Sequence, residues 1–518
     1  MGRALMVQGT ASHVGKSVLV AGLCRLFRQD GIRVAPFKAQ NMALNSYATA
    51  DGGEIGRAQA VQAEAARVSP SVAMNPILLK PEGEARSQVV VSGKVLGAMD
   101  AAEYHSRKEE LWPVVEASLR SLLDEYDLVV IEGAGSPVEV NLKDADIVNM
   151  RVARAVSAPV LLVADIDRGG VFAALVGTMD LLEPAERDLV KGFIVNKFRG
   201  DPALFASGVA FIEGRLSRPV LGVVPWIDNL GVAEEDSLGV PSPEFRAPNS
   251  RLRGAGWDAP LHLDSESGTQ DPELEVVVIR LPHMANFDDF DPLRQRPGVC
   301  VRFVDRPEDF GEPDLVIIPG TKTTRSDLEF MRERGLDLKV VDHARRHGCT
   351  LGICGGYQML GRRIEDPDGV EGAVGSAEGL GLLPAVTRFA GTKSTVQVHG
   401  SVACEQGPLA GATGSPVTAY EIHMGRTLAE GPALFALADP DGGSRPEGAS
   451  SADGLIVGTY LHGIFSNMGL REAVLGWLAS RKGVRLPPLA QAPDPFDRLA
   501  DALRHSLDVD RLRQIAFG

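Results

Sequence analysis

Long apolar runs are missing from this 518-residue chain. No stretch approaches the roughly 18 residues a spanning helix needs, and Met1-Gly2-Arg3 does not open a charged-then-apolar export signal. Paired cysteines are missing too. The five present, at 24, 300, 349, 354 and 404, show no Cys-x-x-Cys or zinc-type spacing, which argues against a disulfide framework or a metal cage. A basic surplus is also absent. The formal net charge of −15 has the wrong sign for a general nucleic-acid or membrane-surface binder. No internal repeat is visible. The expectation is a cytoplasmic protein with no membrane and no nucleic-acid partner.

What the chain does have is enough apolar material, 44%, to pack more than one core, and its length implies roughly two to four domains. The first half alternates short apolar runs with helical stretches. Strands are predicted at 4–7, 32–37, 128–131, 160–164, 192–196 and 220–224, with a helix over 18–27. Residues 241–272 are dominated by Pro, Ser, Gly, Asp and Arg and read as a linker. Strand-like runs resume at 274–281, 301–304, 315–319, 350–354 and 454–460. This is an α/β pattern with two doubly wound, mainly parallel sheets. The expected divisions are 1–240, the linker 241–272, 273–475, and a helical tail at 476–518. In that tail Leu499, Leu503, Leu507 and Leu512 recur at helical spacing and should pack on a domain surface.

Two motifs carry chemistry. Gly9-Thr10-Ala11-Ser12-His13-Val14-Gly15-Lys16-Ser17 lies between a strand and a helix. Glycines let backbone N–H groups turn toward phosphate, a lysine meets the β/γ charge, and a hydroxyl meets magnesium. ATP and Mg2+ are the implied ligands, although five residues rather than the usual four separate Gly9 from Gly15. Glu132, ending an apolar run, is the first candidate for a metal carboxylate beside Ser17, and Glu54 a weaker one; each is also explicable as an ordinary turn acid. Asn196 ends another strand, where its amide suits either a nucleotide base or its own backbone.

The second motif is Leu351-Gly352-Ile353-Cys354-Gly355-Gly356-Tyr357-Gln358, a cysteine on a tight strand-to-helix turn. Flanking glycines admit substrate, and the helix start favours a thiolate. His462, in Tyr460-Leu461-His462-Gly463, is the better-placed base, with His423 its rival. Pro319-Gly320-Thr321 follows a strand and offers backbone donors to an oxyanion.

The cysteine turn with its downstream histidine resembles the class I glutamine amidotransferases, which have a flavodoxin-like fold. That family adds a glutamate two positions after the histidine; here the residue is Ile464, so the expected site is a dyad. The first half is similar to dethiobiotin synthetase and its P-loop relatives, which activate carboxylates with ATP. The segments Phe37-Lys38-Ala39-Gln40-Asn41-Met42-Ala43-Leu44-Asn45-Ser46, Glu54-Ile55-Gly56-Arg57-Ala58-Gln59, Met74-Asn75-Pro76-Ile77-Leu78-Leu79-Lys80-Pro81 and 420–427 together resemble the cobyric acid synthase family. That resemblance implies amidation of the b, d, e and g carboxylates of adenosylcobyrinic acid a,c-diamide, a corrinoid, with L-glutamine as nitrogen source. It places Lys38, Gln40, Asn41, Asn45 and Lys80 at the substrate and Gly320 at the glutamine site. Arg57, Arg86 and Lys94 are further cations that fit a polyanion or an ordinary solvated face equally. Two alternatives stay open: a cobyrinic acid a,c-diamide synthase, and a partitioning-type ATPase switch with an inactive amidotransferase domain. Oligomeric state is not legible.

Overall fold

The computed structural model describes residues 2–82, 86–227, 230–232, 273–439, 441–489 and 493–518. The expected linker at 241–272 lies outside them. The chain divides into two compact units. One comprises Met1–Glu235 with Thr395–Gln397 and Gln491–Gly518, the other Asp236–Ser394 with Val398–Ala490.

The first unit is built on a six-stranded parallel sheet, ordered Val220–Pro225, Val190–Phe198, Val160–Asp165, Arg3–Gly9, Leu128–Glu132 and Val34–Phe37. Its central strands are apolar on both faces because helices cover both. All five residues of Leu128–Glu132 are buried, and residues 4–9 of Arg3–Gly9 are buried too. Every neighbouring pair in this sheet is parallel, so strand carboxyl ends gather along one edge, where such sheets bind ligands.

Sequence reading missed a second, mostly antiparallel sheet in this unit. Ile77–Glu82, Arg86–Val91 and Lys94–Asp100 form a meander, and Gln40–Met42 joins parallel to Ile77–Glu82. The tight turn is Ser92-Gly93, with φ of 47° and 79°, the doubly left-handed geometry of a two-residue hairpin. That dipeptide was the available signal.

The tail also differs from expectation. The boundary at 475 cuts through a helix, Met468–Lys482, which closes on left-handed Gly483 and belongs to the second unit. Only Pro495–Ser506 and Val509–Phe517 return to the first. There Leu499, Leu503, Leu507 and Leu512 are buried in one core with Leu19, Leu23 and Leu26. Arg25 pairs with Asp494, and Arg504 and Arg513 both pair with Asp30.

The second unit has its own six-stranded sheet, ordered Val299–Val304, Leu274–Ile279, Leu315–Ile318, Cys349–Ile353, Ile456–Thr459 and Ala449–Ser450. It is parallel except for the last strand. Two further sheets were unforeseen, because their strands carry no long apolar run. One of them brings Pro416–His423 antiparallel to Leu461–His462, with Tyr420 opposite His462. Among the described residues, no helix is long and apolar enough to cross a membrane.

Candidate functional site

In the first unit the strand Arg3–Gly9 leads through the loop 10–15 into the helix Lys16–Gln29. Gly15 starts that helix at φ 92°, a conformation costly for a residue with a Cβ. A Cβ there would also lie 2.3 Å from Asn196 Nδ2. Asn196 itself donates to the carbonyl of Val14 at 2.8 Å, and Lys197 Nζ to that of His13 at 2.6 Å. Asn196, expected as a base reader or a self-satisfied loop amide, thus braces the phosphate loop. Thr10 N–H is tied to the carbonyl of Val163 at 2.9 Å. Lys16 folds back over the loop, donating to the carbonyls of Ala11 at 3.0 Å and Gly135 at 3.3 Å, and lies beside Gly9.

Glu132 is the hub. Its Oε1 accepts from Ser17 Oγ at 2.8 Å and Lys38 Nζ at 2.9 Å, and its Oε2 from Gln62 Nε2 at 2.6 Å. The carboxylate is 1% exposed, so its charge is held by a cation and neutral donors rather than by water. A hydroxyl and a carboxylate oxygen at the mouth of a phosphate loop are hard donors of the kind magnesium takes. Ser17 and Glu132 therefore fit Mg2+.

Glu54 is engaged differently. Its Oε1 accepts from Lys80 Nζ at 2.7 Å and Ser46 Oγ at 2.7 Å, and both ions are buried. This corrects the picture of Lys80 as a cation presented to substrate: it is a buried partner of Glu54. Gln40 accepts from the Tyr104 hydroxyl at 2.5 Å, Asn41 donates to Gln59 at 3.0 Å, and Asn45 is buried.

In the second unit Cys354 leaves the strand Cys349–Ile353 at φ 51° and ψ −107°, a strained setting for a non-glycine residue. The fold pins it there. Cys354 N–H donates to the carbonyl of Thr459 at 2.8 Å, and its own carbonyl accepts from Gln358 N–H at 3.1 Å. Gly356 packs so closely that a Cβ would lie 2.0 Å from the Ile318 carbonyl oxygen. Gly320 marks the opposing wall: its Cβ position is 3.0 Å from His462 Cε1 and 3.6 Å from Cys354 Cβ. Asp327, fully buried, anchors that wall by accepting from Thr321 Oγ1 and, at 2.8 Å, from His283 Nδ1.

His462 is 2% exposed and is oriented by Asp289. Asp289 Oδ2 lies 2.7 Å from His462 Nδ1, and its Oδ1 accepts from Gly463 N–H at 2.7 Å. An ionised carboxylate only accepts, so Nδ1 carries the hydrogen and Nε2 is left for the Cys354 thiol. Tyr420 stacks on the other face of the ring, with centroids 5.4 Å apart. Burial opposes a charged imidazole, but the Asp289 carboxylate and the Cys354 sulfur, each by charge and hydrogen bond, outweigh it. They push its pKa up to about 10. The site is thus not the dyad expected from the sequence; Asp289 supplies the carboxylate from a turn 173 residues away in the chain. Ile464 lines an apolar cavity with Leu315, Leu351 and Val457, where a glutamate would be stranded without donors.

His423 is not placed as the base. Its Nδ1 bonds the carbonyl of Gly425 at 2.9 Å, and its ring stacks on Tyr460 at 3.8 Å. Burial pushes its pKa down to about 4, which keeps it neutral. The Cys354 thiol reaches the carbonyl of Ile422, next to it, at 3.5 Å.

This geometry has relatives. Residues 5–240 match the family of CobQ/CobB/MinD/ParA nucleotide binding domains, and residues 275–469 that of CobB/CobQ-like glutamine amidotransferase domains. A cobyric acid synthase of Sorangium cellulosum is 52% identical over 531 residues, covering 99% of this chain and 98% of that protein. The chain belongs to the cobyric acid synthase family. Family members from Desulfitobacterium hafniense (50% identical, 98% of this chain and 97% of theirs) and Chloroflexus aurantiacus (50%, 98% and 98%) match over the same extent. The two sites therefore belong to a glutamine-hydrolysing amide ligase, its first unit binding nucleotide and its second carrying the thiol.

Proposed function

We propose that the enzyme converts adenosylcobyrinic acid a,c-diamide to adenosylcobyric acid, amidating the b, d, e and g carboxylates with ATP and glutamine. The full-length likeness to cobyric acid synthases carries the choice of substrate; the two sites supply the chemistry. A carboxylate resists ammonia because oxide is a poor leaving group, and phosphorylation provides a better one. The loop residues Gly9 and Gly15 would let the backbone cradle the phosphates of ATP, with Thr10 holding the loop in place through its N–H bond to the Val163 carbonyl. Lys16, on releasing the carbonyls of Ala11 and Gly135, would meet the β/γ charge. Bound magnesium would neutralise charge developing on the transferred phosphoryl, held by Ser17 and Glu132. Lys38, already on Glu132, would follow the transferred group. The corrinoid carboxylate, as an acyl phosphate, then awaits nitrogen.

At the other site Cys354 attacks the glutamine amide carbon while His462, held by Asp289, passes a proton to the departing nitrogen. The oxyanion would form against the Gly320 turn. Ammonia leaves, and water hydrolyses the thioester to glutamate. An ordered Asp289–His462–Cys354 array speaks against the inactive-appendage alternative. The test is a mass-resolved product series from the a,c-diamide with ATP and glutamine. Four successive amides are expected; amidation of cobyrinic acid only at a and c would assign the enzyme to the other corrinoid step.

A further inference from the structure

The chain passes twice between the same two sheets of the second unit, and one side chain ties the two crossings together beside the thiol. Ser444–Glu447 lies in the five-stranded sheet that also holds Leu461–His462, and Ala449–Ser450 in the six-stranded one. The first crossing is therefore made at Gly448, with φ 73°. The return is made at Tyr460, between Ile456–Thr459 of the six-stranded sheet and Leu461–His462. A chain that leaves a ladder carries backbone N–H groups out of it, and buried ones need other acceptors. Glu447 supplies them. Its Oε1 accepts from Tyr460 N–H at 2.7 Å and its Oε2 from Thr459 Oγ1 at 2.7 Å. That hydroxyl in turn accepts from Leu461 N–H at 3.0 Å. Glu447 is 4% exposed and Thr459 fully buried.

Both reacting side chains depend on this bend. The carbonyl of Thr459 holds Cys354 N–H, and His462 stands two residues beyond Tyr460. The path of residues 459–461 thus sets where the base lies relative to the nucleophile. Asp289 grips the far side of the same stretch, at His462 Nδ1 and Gly463 N–H, and Glu447 grips the near side. The ionised Glu447 carboxylate adds nothing to stability. Burial pushes its pKa up to about 7 against its two hydrogen bonds. A free glutamate titrates near 4.3, so stability falls as pH rises from that value through the folded one.

We propose that Glu447 is a positioning residue of the glutaminase site, clamping the Thr459–Leu461 bend so that His462 stands at the Cys354 thiol. This rests on the glutaminase half of the function proposed above. Glu447 acts through the backbone at 459–461 and takes no part in proton transfer.

Glutamate release from glutamine by the full chain tests it, in Glu447→Gln and Thr459→Val. Each variant keeps the shape of the side chain and breaks one half of the clamp, an acceptor in the first and the bridging hydroxyl in the second. In each, kcat should fall about 10- to 100-fold, the cost of about an ångström of misplacement. The KM for glutamine should stay within about twofold, because the loss falls on the transition state alone. The double variant should lie within about threefold of the poorer single one, since both changes break one device. The urea midpoint of Glu447→Gln at pH 8 should be no lower than that of the wild type, because a buried charge has been removed. An unchanged kcat overturns the proposal. A KM that rises as kcat falls also overturns it and moves Glu447 to glutamine binding. Effects that multiply in the double variant overturn the shared clamp, and a lowered midpoint in Glu447→Gln assigns the residue to the fold instead. A wild-type enzyme that releases no glutamate from glutamine would overturn the glutaminase reading itself.

Discussion

Asp289 and His462 meet at 2.7 Å, both almost completely buried, and this pair restores to the thiol site the carboxylate missing at position 464. Asp289 also grips Gly463 N–H, so a single side chain fixes the histidine's ring and the backbone after it. Asp289→Asn leaves one acceptor for two donors, His462 Nδ1–H and Gly463 N–H, and so no longer fixes the tautomer. Glutamine-dependent amidation should fall about 10²- to 10⁴-fold, the span of a disabled acid–base group, while amidation from ammonium salts continues. Steady-state rates with each nitrogen source check this. A fall of less than threefold with glutamine would count against the role.

The same pair sets a pH dependence. His462 has its pKa raised to about 10 in the folded protein, against about 6.5 for a free histidine. The stability it contributes is therefore complete below the free value and is lost as pH rises through the folded one. In Asp289→Asn, burial acts without the opposing carboxylate charge and only Cys354 still raises the value, so the pKa should fall well below about 10. NMR titration of the His462 ring in both proteins measures this directly, and unfolding between pH 6.5 and 10 should lose its slope in the variant.

Separate sites predict separable defects. Cys354→Ala should abolish amidation from glutamine and spare that from ammonium salts, because the nucleophile serves only nitrogen release. Lys16→Ala should abolish both, because no acyl phosphate forms. Assays with the a,c-diamide and either nitrogen source decide the matter; retained amidation in Lys16→Ala would remove that lysine from the mechanism.

Much of this was legible in the sequence because the motifs are local. A phosphate loop and a cysteine turn each fit within about ten residues, where spacing translates directly into geometry. The central strands were legible because burial on both faces writes continuous apolar runs. Asp289 was not, because it sits among Asp288 and Asp291 in a short turn, and only the tertiary fold selects one acid of three. Glu54 misled for the opposite reason. A strand-end glutamate looks alike in sequence whether it faces a metal or, as here, takes a buried lysine. The further sheets escaped because their strands mix polar with apolar residues, as in Lys94–Asp100 and Ser394–Val402, and leave no continuous apolar run.

The Lys80–Glu54 pair yields the last prediction, which separates a structural cation from a substrate contact. Side-chain exposures are 5% for Lys80 and 1% for Glu54, and Ser46 completes the cluster by bonding both at 2.8 and 2.7 Å. Removing one ion of such a pair strands the other without water. Lys80→Met should therefore destabilise the first unit by about 3–5 kcal/mol, moving its urea midpoint down by about 1–2 M. Replacing both ions, as Lys80→Met with Glu54→Gln, should recover most of that loss, since no buried charge is left unmatched. A surface lysine reaching for a polyanion behaves otherwise: its loss raises the KM for corrinoid and barely moves the midpoint. Urea unfolding and corrinoid KM, measured on the single and double variants, distinguish the two. An unshifted midpoint with a raised KM would return Lys80 to the substrate.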